Sequence, residues 1–242
     1  MHEEHPNKGR GIYLLPNLFT LAALFAGFYA IVAGMKGLFD NAAIAIFIAM
    51  LMDTLDGRIA RLTHTQTAFG AQLDSLSDMV SFGLAPALIL YAWGLNTLGK
   101  TGWLVAFFYT ACVALRLARF NVQHDIVDKR YFKGLPCPAA AAVVASILWS
   151  ITQYDIRISQ LYIVTSILTV LISLCMVSNI PYHSFKDFNP KNKVPFIFIL
   201  LALLLFVIIS ANPPLVGLML ALVYAASGPV TFLGRWRKKR NL

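Results

Sequence analysis

Apolar residues run along this chain in blocks of about 20, set apart by short polar segments, which is the spacing of membrane spans rather than of amphipathic soluble helices. The blocks fall at roughly 16–33, 41–61, 73–94, 103–121, 138–154, 158–177, 194–210 and 214–233. The pattern predicts an all-α, polytopic integral membrane protein with about eight transmembrane helices. Pro16, Pro138 and Pro214 stand at predicted helix starts, where the missing N–H costs nothing, while Asn189-Pro190 and Asn212-Pro213 read as turns. The fifth block is short and is led by two prolines, Pro136 and Pro138.

Composition agrees with this reading. Of the 242 residues 58% are hydrophobic and 13% charged, and mean hydropathy is +0.69. Soluble domains carry roughly 25% charged residues. The formal charge of +9 would suit nucleic acid in a soluble protein, but here its distribution follows topology and anionic lipid, and no nucleic-acid partner is expected. Basic residues gather at Lys8 and Arg10, at Arg58 and Arg61, from Arg116 to Lys133, from Lys186 to Lys193, and at the C-terminus. The loops between those regions hold only Lys36, Lys100 and Arg157 of the chain's 20. That alternation predicts an even number of spans with both termini cytoplasmic. The run Arg235-Trp236-Arg237-Lys238-Lys239-Arg240 reads as a stop-transfer anchor with an interfacial tryptophan. The start of the chain lacks the short apolar core and cleavage site of a secretory signal. Cys112, Cys137 and Cys175 are odd in number and widely separated, which supports neither a disulfide framework nor a metal site.

Against that background four acids stand out, in the arrangement Asp53-x-x-Asp56-Gly57-x-x-Ala60-Arg61, eight residues, Gly70-x-x-x-Asp74-x-x-x-Asp78. Carboxylates at membrane depth are costly unless paired, ligated or open to water, so they mark function. Asp53 and Asp56 share a face of the second helix with Gly57 and Ala60, and Asp74 and Asp78 share a face at the start of the third. A short turn from Thr63 to Gly70 lets the two pairs face each other. Four converging carboxylates repel, whereas two divalent cations carry the matching charge, and all-oxygen ligation suits Mg²⁺, Mn²⁺ or Ca²⁺. Two such ions about 4 Å apart form the clamp used in phosphoryl chemistry. Arg61 could bind phosphate, and Gly57 and Gly70 leave room for it. The competing reading pairs the acids with arginines, but the window offers only Arg58 and Arg61.

The eight fixed positions of this pattern match the signature of the CDP-alcohol phosphatidyltransferases, and the chain resembles that family. Leu15-Pro16-Asn17-Leu18-Phe19-Thr20, Ser77 to Pro86, Arg116-Leu117-Ala118-Arg119-Phe120-Asn121 and Phe132 to Pro138 are similar to the membrane-bound phosphatidylserine synthases within it. The resemblance runs from about residue 12 to 185. It implies a helical six-span core, commonly homodimeric, over 13–185. Flanking it are a cytoplasmic tail over 1–12, two added C-terminal helices over 186–233 and a basic tail over 234–242. It also implies transfer of the phosphatidyl group of CDP-diacylglycerol to L-serine with release of CMP, at the cytoplasmic face of the cell membrane. Asp53, Asp56 and Asp74 would be metal ligands, and Asp78 would complete the second metal site and act as general base. Gly57, Ala60, Arg61 and Gly70, with Asn17 and Thr20, would contact the CDP-lipid.

A zwitterionic acceptor needs a cation for its carboxylate, and Arg116, Arg119 and Lys133, with Asn121, are the candidates. Glycerol phosphate or inositol phosphate as acceptor would share every metal residue. Prenyl transfer would need a second Asp-rich motif, and after Asp78 only Asp125 and Asp128 form a pair. A divalent-cation transporter would leave Gly57 and Arg61 unexplained. His64 reads as a solvated loop residue, and Phe25, Phe28 and Tyr29 as packed or lipid-facing aromatics.

Overall fold

A computed structural model of the protein describes residues 14–122, 131–155, 160–183 and 196–240. The tail expected over 1–12 and the basic positions Lys129, Arg130, Lys186, Lys191 and Lys193 lie outside them. Helices occupy each of the apolar blocks: α1 (Leu14–Met35), α2 (Phe39–Thr63), α3 (Ala68–Asp78) running through a π-helical turn (Met79–Leu84) into α4 (Ala85–Trp93), α5 (Lys100–Val122), α6 (Cys137–Gln153), α7 (Gln160–Val177), α8 (Phe196–Ala211) and α9 (Pro213–Arg240). Among the described residues, five segments are long and apolar enough to cross a membrane: Leu14–Met35, Ala68–Trp93, Lys100–Val122, Gln160–Val177 and Pro213–Phe232. The charges of α2 and the 17 and 16 residues of α6 and α8 keep those three out of that group.

Small residues decide how the helices meet. On α1, Ala23, Ala26, Gly27, Ala30, Ala33 and Gly34 are buried, and α2 buries Ala42, Ala43, Ala45, Ile46 and Ala49. Without a hydrophobic drive between helices in lipid, such stripes let backbones approach closely and gain dispersion contact. Gly27 shows how close: a Cβ there would lie 2.6 Å from Ser81 Cα. The centre of the bundle is α6, which buries most of its length, from Cys137 and Ala140 to Leu148 and Ile151, against α2, α4, α7 and α9.

Two details depart from the sequence expectation. First, the third helix begins at Ala68, five residues before the apolar block, because Thr67 caps it by accepting a hydrogen bond from Gly70 N at 3.0 Å. Apolar counting misses a polar first turn. Second, the fold is not purely helical: β1 (Tyr131–Lys133) pairs antiparallel with β2 (Pro181–His183). Gly134 follows β1 at φ +83°, and a Cβ there would lie 2.1 Å from Met176 O, so only glycine fits. Its N–H and that of Leu135 bond Ile180 O and Cys175 O at 2.9 and 3.0 Å. The ribbon therefore ties the chain entering α6 to the end of α7.

Candidate active site

Two helices bring the aspartates together. On α2, Asp53 and Asp56 lie one turn apart, and across a short turn α3 presents Asp74 and ends at Asp78. His64 makes that turn, at φ 53° in the left-handed region, with its N–H on Arg61 O at 3.4 Å. One carboxylate oxygen from each of Asp53, Asp56 and Asp74 lies within 4.8 Å of the other two. The Asp53 carboxyl also lies close enough to those of Asp74 and Asp78 to interact with both. The four acids act electrostatically on one another, and among the described residues no arginine is paired with them. Convergent, partly buried oxygen donors with no cation between them among the described residues fit hard divalent metal ions.

The surroundings orient the carboxylates. Asp56 is buried, and its Oδ2 accepts a 2.7 Å hydrogen bond from Thr20 Oγ1 on α1. Thr20, expected on the nucleotide side, thus orients a carboxylate, the kind of outer contact that tunes a metal site. Behind the acidic face of α3, Ser77 Oγ donates to Thr20 O at 3.1 Å and Ser81 Oγ to Ala23 O at 3.0 Å. Those two serines lock α3 and the π-turn that follows it to α1.

The candidates for nucleotide contact surround the acids. Nothing lies within 4 Å of a Cβ built on Gly57, so the space beside Asp56 is open. At Gly70 a Cβ would come 3.3 Å from Asn17 Oδ1, which places Asn17 against the start of α3. Exposed Arg61 lines an open depression of about 440 Å³ with His64 and Gln66. Ala60 is half-buried one residue before it.

The acceptor candidates divide. Arg116, half-buried on α5, donates from Nη1 to Cys137 Sγ at 3.4 Å, and its buried Nε has no hydrogen-bond partner among the described residues. Cys137 in turn lies close enough to Asp78 to interact with it electrostatically. Arg119 instead bonds Val177 O at 3.4 Å and the Asn179 side chain, closing the end of α7. Asn121 exchanges hydrogen bonds with Ser75, the neighbour of Asp74, at 3.0 and 3.2 Å. Lys133 is exposed on β1.

The CDP-alcohol phosphatidyltransferase family profile matches residues 13–177, which covers all four aspartates. The chain belongs to that family. A Helicobacter pylori protein named CDP-diacylglycerol–serine O-phosphatidyltransferase is 36% identical over 192 residues, covering 79% of this chain and 81% of the relative. One of the same name from Methanocaldococcus jannaschii is 36% identical over 203 residues, 84% and 90% of the two chains. A Saccharomyces cerevisiae protein, also of that name, is 35% identical over 165 residues, 62% of this chain and 59% of its own. As a member of the family the chain is an enzyme, a CDP-diacylglycerol-dependent phosphatidyltransferase.

Several residues at the site escaped sequence reasoning. Ser77 and Ser81 recur at i and i+4 beside the acids, a polar stripe in an apolar block that was open to notice. Cys137 carried no such signal, because a lone buried cysteine reads as a small hydrophobe.

Proposed function

We propose that this protein is a phosphatidylserine synthase, which moves the phosphatidyl group of CDP-diacylglycerol onto the hydroxyl of L-serine and releases CMP. The observation that carries the choice of acceptor is Arg116, whose buried Nε has no hydrogen-bond partner among the described residues and so lacks the acceptor that a carboxylate would supply. The names of the relatives support the same acceptor.

Asp53, Asp56, Asp74 and Asp78 would hold two divalent cations, magnesium or manganese, with calcium compatible with the same oxygen donors. When bound, the cations neutralise diphosphate charge and make the phosphorus more electrophilic. The chain supplies the rest. The open space at Gly57 and the polar groups of Asn17 and Arg61, with Ala60 and Gly70 keeping the walls small, admit the cytidine diphosphate. Thr20 keeps Asp56 turned inward. Arg116 takes the serine carboxylate through a charge-assisted contact, and Arg119, Asn121 and Lys133 are the further acceptor-side candidates. Asp78 accepts the hydroxyl proton as the serine oxygen bonds to the lipid-bearing phosphorus and the bond to CMP breaks. No covalent enzyme intermediate is needed.

The same reading takes the chain as eight spans with both termini cytoplasmic, a core over 13–185 with two added helices, and a homodimer in the cell membrane. Its site would open to the cytoplasm.

The test is CMP release by purified enzyme from CDP-diacylglycerol, with serine, glycerol 3-phosphate and inositol phosphate as acceptors and a metal titration. Serine-dependent release that requires added Mg²⁺ or Mn²⁺ is expected. Turnover with glycerol phosphate and none with serine would sink the acceptor assignment, and metal flux into proteoliposomes without turnover would sink the enzymatic one.

A further inference from the structure

Arg116 and Arg119 stand three residues apart on α5, and the two strands of the ribbon lead one to each of them. From β1 the chain passes through Gly134, whose N–H bonds Ile180 O at 2.9 Å, and enters α6 at Cys137, whose Sγ meets Arg116 Nη1 at 3.4 Å. Ahead of β2, the side-chain oxygen of Asn179 accepts from Arg119 Nη2, while Arg119 Nη1 bonds Val177 O at 3.4 Å. Helix α9 backs the ribbon. Fully buried Tyr182 of β2 donates its hydroxyl to Ala225 O on α9 at 3.0 Å, and a Cβ on Gly228 would lie 2.3 Å from Tyr182 Cζ. The ribbon is thus pinned on both sides, to α5 and to α9.

The two arginines differ in what they have left to offer. Both terminal nitrogens of Arg119 are engaged by the segment that runs from α7 into β2, whereas the buried Nε of Arg116 has no hydrogen-bond partner among the described residues. A buried guanidinium N–H without an acceptor is costly until a ligand completes it. A carboxylate does so by taking two parallel N–H donors, which requires the planar fork to be held at a set angle. We propose that Arg119 is a positioning residue and not a ligand: by bonding Val177 and Asn179 it fastens the root of the ribbon to α5, which holds Cys137, and with it the Arg116 fork, at the angle that the acceptor's carboxylate needs. This rests on the reading of Arg116 as the carboxylate ligand.

The experiment is a double-mutant cycle of Arg119→Ala and Asn179→Ala in the full-length, detergent-solubilised enzyme, varying serine and CDP-diacylglycerol separately. A positioning role makes the partner matter as much as the arginine. Each single variant should raise the serine KM about tenfold, as for loss of a hydrogen bond to a charged group, with kcat and the CDP-diacylglycerol KM within about twofold of wild type. The double variant should match Arg119→Ala alone, because both changes remove one interaction. Leu115→Ala, exposed on α5, should change nothing. A serine KM within about twofold of wild type in Asn179→Ala would overturn the proposal, as would additive effects in the double variant or parallel rises in both KM values. Folding of each variant is checked by its thermal shift on adding CDP-diacylglycerol, and Asn179→Ala, at an exposed position, decides the matter even where Arg119→Ala does not fold. Arg116→Ala tests the underlying reading separately. An unchanged serine KM there, or absent serine turnover in the wild type, refutes Arg116 as the serine ligand, whereas a rise there beside a silent Asn179→Ala refutes only the role of Arg119.

Discussion

The four aspartates are chemically alike, and their surroundings separate them. Asp56 is tied to Thr20 and buried, whereas Asp53 faces both acids of α3. Asp78 ends α3, one π-turn before Pro86, with Cys137 and then Arg116 beyond it. In the proposed reaction that position, among the other acids and on the side of Cys137, suits a general base. Asp78→Asn keeps the shape of the side chain but cannot take a proton, so kcat should fall by roughly 10²–10⁴. Binding of CDP-diacylglycerol, followed by thermal shift, should stay within a few-fold. In metal-free buffer the variant should melt higher than wild type, because one of several mutually repelling buried carboxylates is gone. Residual kcat above a tenth of wild type would remove Asp78 from the role of base. Much of this site was legible in the sequence, since spacing alone set Asp53 beside Asp56 and Asp74 beside Asp78. What spacing does not encode is which partner comes from a distant helix, so the Thr20 contact and the thiol beside Arg116 had to await the fold.

Between α3 and α4 the helix widens into a π-turn, and one proline accounts for it. Pro86 has no N–H to give Phe82 O, four residues earlier, and its ring crowds that carbonyl in a regular helix. The Tyr109 hydroxyl on α5 supplies the missing donor at 3.0 Å, with Tyr109 and Phe82 both fully buried. Freed carbonyls at membrane depth are tolerated when a neighbouring helix satisfies them in this way. Tyr109→Phe should destabilise the solubilised protein by roughly 1–3 kcal/mol, as expected for a buried carbonyl left without a donor. It should also lower kcat more than either KM, since the turn begins at the residue after Asp78. An unchanged melting temperature would refute this account of the turn. At this scale the apolar blocks foretold the helices because lipid exposure demands long apolar runs, and five of them meet that demand by length and composition. The block rule is blind to polar first turns, which is why α3 starts earlier than expected, and to three-residue strands, whose pairing is fixed by partners far along the chain.

Across the described part of the molecule, contacts gather the start of α1, the turn between α2 and α3, and the ends of α5 and α7 at one end of the bundle, with Arg61, Arg119 and Lys133. Asn17 at the start of α1 meets Gly70 on α3, and Ser75 meets Asn121 at the end of α5. Arg119 reaches Asn179 just after α7, β1 pairs with β2, and Tyr182 of β2 holds Ala225 of α9. The aspartates lie at that same end. The connection from α4 to α5, through the 3₁₀ turn Leu95–Leu98, leaves from the opposite end and carries a single basic residue, Lys100. Lysine and arginine accumulate on the cytoplasmic side because translocating them is unfavourable, so the aspartate end should face the cytoplasm, where serine and CMP are soluble. Single cysteines at two exposed positions test this, Gln66→Cys in the turn between α2 and α3 and Asn96→Cys between α4 and α5. The native cysteines are buried or half-buried, which keeps their background labelling low. In right-side-out vesicles a membrane-impermeant maleimide should label Asn96→Cys and spare Gln66→Cys, and permeabilisation should expose both. Labelling of Gln66→Cys in sealed vesicles would reverse the orientation and put the acidic cluster on the far side of the membrane from the positive-inside assignment.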